Sequence, residues 1–333
     1  MGNSLQNTFS IPVALFKLIN DLKRQKRFMR LNIDPLLNQS RLTNDGTLND
    51  KDFLKINKYY GLAVPAILGE SFGELRGYGL SDSERWVSTG QGVITGLFDD
   101  FFDDLKLPEE QLVNMILNPD NFVPQSSNEK LFTTFYNIVL QKAAHPDLIK
   151  KQFIKVHEAQ VASVEQENLN LDTDRIWEIT CQKGGDSVLF YRTAFDNLPK
   201  AGEEEALYQL GSLMQFENDI FDIYKDYDSK IATLPTTISK VKSLRSLYEK
   251  GLREFISLSK NMDYPLKQIT NFLDIVIPVL NRGFVCLDNY QNLENTNNGK
   301  FDLSIWTRKQ LICDMEKPSS LFRTMYYQII VKY

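Results

Sequence analysis

A chain of 333 residues, 42% apolar and 24% charged, can bury a substantial core and does not have the composition of a disordered protein. Its 38 Lys and Arg against 43 Asp and Glu leave a net charge of −5, which does not attract nucleic acid or an anionic membrane as a whole and leaves room only for a local basic patch. Only two histidines occur, His145 and His157, with no cysteine near either, so a zinc site and a Ser-His or Cys-His hydrolase are poorly provided for. The three cysteines (Cys181, Cys286, Cys313) are widely separated and odd in number, which fits a reducing cytoplasm better than a disulfide framework.

In chain order, the first fifty residues are the least regular. The apolar run Ile11–Ile19 contains Lys17, follows no basic stretch and precedes no small-residue cleavage site, and MGNSLQ puts Gln6 where a myristoylation signal needs Ser or Thr. An amphipathic helix is expected over 12–30 and a polar loop around 38–50. Helical periodicity then predicts helices at 84–106, 108–117, 128–143, 147–168, 187–197, 202–228, 237–260, 264–281 and 318–331. Pro108 followed by Glu109 and Glu110 suits a first helical turn. Pro146 and Pro265 also stand where helices would begin, although His145 and Tyr264 precede them rather than capping residues. The stretches 118–128 and 292–302 are polar and rich in turn formers, hence loops. FLDIVIPVL (272–280) is too short and too interrupted to span a bilayer. Almost nothing alternates like a strand, no repeat is visible and no linker divides the chain. The expectation is one large all-α domain over 1–333, with 1–52 as a less regular N-terminal segment, able to enclose a pocket among its helices.

Two acidic segments carry the chemistry. In TGLFDDFFDD (95–104), Asp99 and Asp103 are four apart, as are Asp100 and Asp104, so each pair shares a helix face. Such carboxylates repel one another unless solvent or cations neutralise them. Mg²⁺ takes oxygen ligands, typically one or two carboxylates plus substrate phosphates. An acidic solvated face is the plain alternative, but Phe98, Phe101 and Phe102 flank the aspartates. In QFENDIFDIYKD (215–226), Asn218, Asp222 and Asp226 recur every four residues, with Glu217, Asp219 and Lys225 beside them. Here too an ordinary amphipathic helix is the alternative, its apolar face being Leu213, Phe216, Ile220, Phe221 and Ile223. Two such faces meeting across a cavity would hold a Mg²⁺ cluster, and that cluster a diphosphate.

The pair resembles the two metal motifs of the class I isoprenoid-diphosphate enzymes: terpene synthases, trans-prenyltransferases and squalene/phytoene synthases. Asp99–Asp103 is similar to the first aspartate-rich motif. Asn218, Asp222 and Asp226 match the spacing of the terpene-synthase Asn/Ser/Glu triad, with Asp222 and Asp226 in place of Ser/Thr and Glu, and Lys225 falls where many of those enzymes carry a lysine. Through Gln215 the same residues resemble QxxNxxxDxxxD of the squalene/phytoene type, and NDIFD (218–222) approaches the second aspartate-rich motif of prenyltransferases. The likeness spans roughly 55–330 in helical layout. It implies a helical bundle of the class I terpenoid synthase type with a central apolar cavity.

The resemblance also implies a trinuclear Mg²⁺ centre (or Mn²⁺ in its place), with Asp99, Asp100, Asp103 and Asp104 on one side and Asn218, Asp222 and Asp226 on the other. Diphosphate would be met by Lys183, Arg192 and Lys225, by Arg76 in ELRGYG, and by N–H groups freed where Gly184-Gly185 interrupts a helix. Arg323 with Tyr326 and Tyr327 is loosely similar to an Arg-Tyr pair near terpene-synthase C-termini. Gly92, Thr95, Gly96, Gly211 and Ser212, one turn from the acidic faces, would leave room for an isoprenoid chain or permit tight helix contact. The leading expectation is a cytoplasmic Mg²⁺-dependent terpene synthase ionising an allylic diphosphate, with neither nucleic acid nor a transmembrane segment and with homodimerisation open. The alternatives are a prenyltransferase coupling isoprenoid diphosphates, whose GGKR-type signature is absent here, and a non-catalytic helical binding protein.

Overall fold

The computed structural model describes residues 16–103, 105–315 and 317–331. Residues 1–15, Asp104 and the side chain of Asp103 lie outside the described residues, and with them the first residues of the helix expected at 12–30. Among the described residues every regular element is helical and none is a strand. The described residues form two compact units, one of 16–157 with 190–198, the other of 158–189 with 199–331.

The first unit begins with α1 (16–28), which runs through a π-wound turn, Met29–Ile33, into α2 (Asp34–Leu42). After a polar loop, Asn49 and Asp52 form a capping box that starts α3 (Asp50–Leu54). From there the chain stays helical through π-wound Lys55–Tyr60, α4 (Gly61–Ala63) and π-wound Val64–Gly69 to α5 (Glu70–Arg76). Gly77, at φ 88°, ends this run in the left-handed conformation that glycine adopts without strain. None of 50–76 was expected as helix, because π winding shifts the spacing away from the α period. Then come α6 (Asp82–Asp103), α7 (Glu109–Leu117), α8 (Ser127–Lys142) and α9 (Pro146–Ser163), the last belonging to this unit as far as His157. Helix α6 packs chiefly on α8. Phe98, Phe101, Phe132, Tyr136, Phe153 and Phe190 make a buried aromatic cluster whose ring centroids are 4.9–6.2 Å apart. The Phe residues of the first acidic segment are therefore core, which fixes the aspartates' direction.

A buried polar network ties α1 to α5 and α6. Arg85 donates to Glu70 at 2.6 Å and to Gln25 at 3.0 Å, and Gln25 donates to the Gly61 carbonyl and to Thr89. Buried Asp21 sits in it, 3.3 Å from Arg24; burial, and then the Glu70 charge, raise its pKa to about 6. The native state therefore holds a proton there that the unfolded chain has released. Stability from this site is fully present below the ordinary carboxylate pKa and falls as pH rises to about 6. Asp21→Asn is expected to stabilise the protein by about 1–2 kcal/mol well above that pH and by nothing well below it. Denaturant midpoints measured across the pH range check this; a gain of equal size at every pH would remove the assignment.

The second unit holds the end of α9, then α10 (Thr173–Arg192, here as far as Leu189), α11 (Glu203–Phe221), α12 (Ile223–Asp228), α13 (Leu234–Thr237), α14 (Val241–Lys260), α15 (Leu266–Thr296), α16 (Arg308–Leu311) and α17 (Pro318–Ile330). Helices α11, α14 and α15 pack on one another, and α17 lies on α15. The stripe Leu244, Tyr248, Leu252, Phe255 and Ser259 buries α14. Helix α15 continues past the expected end at 281 because Phe284, Val285, Leu287 and Tyr290 are buried. It is long and apolar enough to cross a membrane, yet 61% of that apolar window is buried in the protein, as in a core helix. Cys181, Cys286 and Cys313 are free thiols.

Candidate active site

The two acidic segments fall one in each unit. The first closes α6. Phe98 and Phe101 are buried, whereas Asp99 and Asp100 are half-buried on the last turn. Carboxylates at a helix C-terminus face the negative end of the dipole, so they need cations or donors from elsewhere. The π-wound stretch Lys55–Tyr60 supplies both. The Tyr60 hydroxyl donates to Asp99 Oδ2 at 3.0 Å, and the Lys55 ammonium pairs with Asp100 Oδ1. The Asp99 charge, together with burial, pushes the Tyr60 phenol far above its ordinary range, so it remains a donor. Burial works against the Lys55 charge, but bonding to Asp100 outweighs it and raises the ammonium's pKa. Neither Lys55 nor Tyr60 was singled out from sequence, since α spacing would set residues five apart on different faces, whereas π winding brings them together.

Gly92 and Gly96, expected either to leave space for a substrate chain or to permit tight helix contact, serve the same approach. A Cβ on Gly92 would stand 2.4 Å from the Tyr60 carbonyl, and one on Gly96 would stand 2.9 Å from the Tyr60 ring. They seat Tyr60 against α6, so tight helix contact is the reason for both.

The second segment spans α11 and α12. Asp222 stands at their joint, with φ −88° and ψ 9°. The bonds Asp222 N→Asn218 O (2.8 Å) and Asp226 N→Asp222 O (2.9 Å) carry through it. Asn218 is exposed, Asp222 and Asp226 are partly exposed, and Asp219 is buried. Asp219 accepts from Gln215 Nε2 at 2.8 Å and from Thr180 Oγ1 at 3.1 Å. Burial raises its pKa to about 6, against the opposing pull of those bonds and of Lys183. Burial, then the charges of Asp219 and Asp222, raise Asp226 to about 7. The charges of Asp219 and Asp222 thus act on Asp226; sequence spacing placed Asp219 beside the ladder. Lys225 is exposed, its ammonium 3.9 Å from Asp222 Oδ2.

Gly184 and Gly185 do not interrupt a helix: α10 runs unbroken through them, and no N–H groups are freed there. They allow a close crossing instead. A Cβ on Gly184 would lie 2.0 Å from the Gly211 carbonyl, one on Gly185 would lie 2.4 Å from the Tyr208 ring, and one on Gly211 would lie 2.1 Å from the Gly184 carbonyl. That crossing brings Thr180 and Lys183 of α10 to Asp219 of α11.

Two of the expected diphosphate contacts are structural cations. Arg76 is buried and donates to both Glu84 oxygens, to Asp196, to Asn197 and to the carbonyls of Tyr78 and Gly79. Arg192 is also buried; it donates to the Asn197 carbonyl and lies over the Phe195 ring. Their guanidinium groups are committed within the unit. Arg323 and Tyr327 both bond Asp288, alongside Arg245, and so join α17 to α15 and α14.

Mg²⁺ fits the donor set of the second segment: three oxygen-bearing carboxylates whose mutual repulsion a cation would relieve. Among the described residues no group of three or more His, Cys, Asp or Glu side chains stands ready to hold a metal alone.

No protein-family model matches the chain, and neither does any curated protein. Among solved structures, a geranyltranstransferase from Thermotoga maritima superposes with a TM-score of 0.48 and 13% identity, over 81% of this chain and 98% of that one. A superposition of that size decides neither family nor activity. What the described residues define is an all-helical protein with carboxylates at the end of α6 and at the α11–α12 joint.

Proposed function

We propose that the protein is a Mg²⁺-dependent enzyme of isoprenoid diphosphates, and that it is a prenyltransferase joining two such molecules rather than a terpene synthase. The carrying observation is the acidic α11–α12 joint, where Gln215 and Thr180 hold Asp219 and the Lys225 ammonium stands 3.9 Å from Asp222. It follows the NDIFD register, which resembles the prenyltransferase motif, and leaves Asn218 exposed at its edge.

Asp219, Asp222 and Asp226 would hold Mg²⁺, which when bound supplies positive charge to the diphosphate oxygens, and Asp99 and Asp100 are proposed as metal ligands within their own unit. Lys183 and Lys225 would add cationic contacts to the same oxygens, while Tyr60 and Lys55 orient Asp99 and Asp100. Charge fixed in advance at the leaving group is the main source of acceleration open to these residues.

The test incubates the protein with Mg²⁺ and geranyl, farnesyl or geranylgeranyl diphosphate, with and without isopentenyl diphosphate. A longer diphosphate or a condensed double chain is the expected product. A hydrocarbon or alcohol from a single substrate would transfer the site to the synthase reading. No product under any condition would remove catalysis and favour a binding protein.

A further inference from the structure

The net negative charge of the chain conceals a local inversion at its start. Residues 1–33 contain six lysines and arginines and one acid, Asp21. Helix α1 sorts them. Asp21, Gln25 and Met29 are buried on one side, while Phe16, Ile19, Lys23, Lys26, Arg27, Arg30 and Leu31 are exposed. Within α1, Phe16, Ile19, Lys23, Lys26 and Arg27 fall inside one arc of roughly 100°, opposite the buried side, and Arg30 and Leu31 follow in the π-wound turn Met29–Ile33. No hydrogen bond or ion pair among the described residues engages Lys23, Lys26, Arg27 or Arg30, and Asp21, the one acid of the stretch, is turned inward. The apolar members are large and open to solvent: Phe16 is 69% exposed, Ile19 41% and Leu31 59%.

We infer that this face of α1 docks the protein on an anionic phospholipid surface. The four free cations complement lipid phosphates and carboxylates, each worth a few-fold in partitioning at low salt. Phe16, Ile19 and Leu31 at the two ends of the cationic stretch provide side chains that enter the headgroup layer. A nucleic acid would use the cations but gives the exposed aliphatic side chains of Ile19 and Leu31 nothing to enter, so the combination selects lipid. The inference stands independently of the isoprenoid reading.

The full-length protein is sedimented with vesicles of phosphatidylcholine alone and of phosphatidylcholine mixed with phosphatidylserine. Binding is expected only to the mixed vesicles, and it should be lost in high salt. The variant Lys23→Gln/Lys26→Gln/Arg27→Gln/Arg30→Gln should bind roughly a hundredfold more weakly. A control with the same loss of charge on other exposed lysines (Lys51→Gln/Lys130→Gln/Lys151→Gln/Lys155→Gln) should bind as the parent does. Phe16→Ser/Ile19→Ser, which keeps every charge, should weaken binding several-fold. Equal loss in the two charge variants, no binding to the mixed vesicles, or vesicle binding indifferent to Phe16 and Ile19 would overturn the proposal. So would a preference for duplex DNA over the mixed vesicles. Circular dichroism confirms that the variants remain folded, since every replaced side chain is exposed.

Discussion

Asp222→Asn is expected to lower kcat/KM by about 10³-fold while leaving the helical circular dichroism unchanged. The side chain is partly exposed and, among the described residues, its ion pair is the long 3.9 Å approach of Lys225, so the fold loses little when the charge is removed. The loss should appear first as weakened Mg²⁺ dependence, and excess Mg²⁺ should restore part of the rate, because the variant still has Asp219 and Asp226. The neighbours separate the two registers of the motif. If the prenyltransferase register operates, Asp219→Asn is as damaging as Asp222→Asn, and Asn218→Ala costs no more than a few-fold. If the asparagine-led ladder operates, Asn218→Ala matches Asp222→Asn. Full activity of Asp222→Asn would end the assignment of this joint as an active-site element. Asp99→Asn, in the other acidic segment, is expected to lower kcat/KM in the same assay as well.

The second large effect is on stability. Gly211→Ala is expected to destabilise the protein by about 3 kcal/mol or more, and Gly211→Val to prevent folding. A Cβ at 211 would stand 2.1 Å from the Gly184 carbonyl and 2.8 Å from the Gly185 Cα, both backbone atoms that cannot rotate away. The gain of about 1 kcal/mol that alanine brings to a helix interior cannot offset that overlap. Gly79→Ala is the control, since nothing lies within 4 Å of its Cβ position. Thermal and denaturant melts compare the two. Should Gly211→Ala melt with the parent protein, α10 and α11 cross less closely and the approach of Lys183 to Asp219 loses its support.

The sequence was a good guide wherever one helix buries one continuous stripe. Helices α6, α7, α8, α14 and α17 begin and end within a few residues of the expected positions, because their apolar residues recur at the helical period. It was a poor guide at glycines. Gly184-Gly185 read as a break or an ordinary helix end, and Gly92 and Gly96 as room for a ligand or as tight contact, and all four are places where another helix or ring comes close. Absence of a side chain looks the same in sequence whether it leaves space or admits a neighbour.

The cations divided in the same way. Lys183, Arg76 and Arg192 are alike as possible phosphate contacts in sequence. Only burial and bonding show that Arg76 belongs to Glu84 and Asp196, that Arg192 belongs to Asn197, and that Lys183 lies beside Asp219. By itself, then, the sequence determined an all-helical chain and the two carboxylate segments, since periodicity and i,i+4 spacing are local properties of a helix. Tertiary structure decided which carboxylates cluster, and that Tyr60 and Lys55 hold Asp99 and Asp100. Those pairings depend on π winding and on helix crossings between residues far apart in the chain, which no local period encodes.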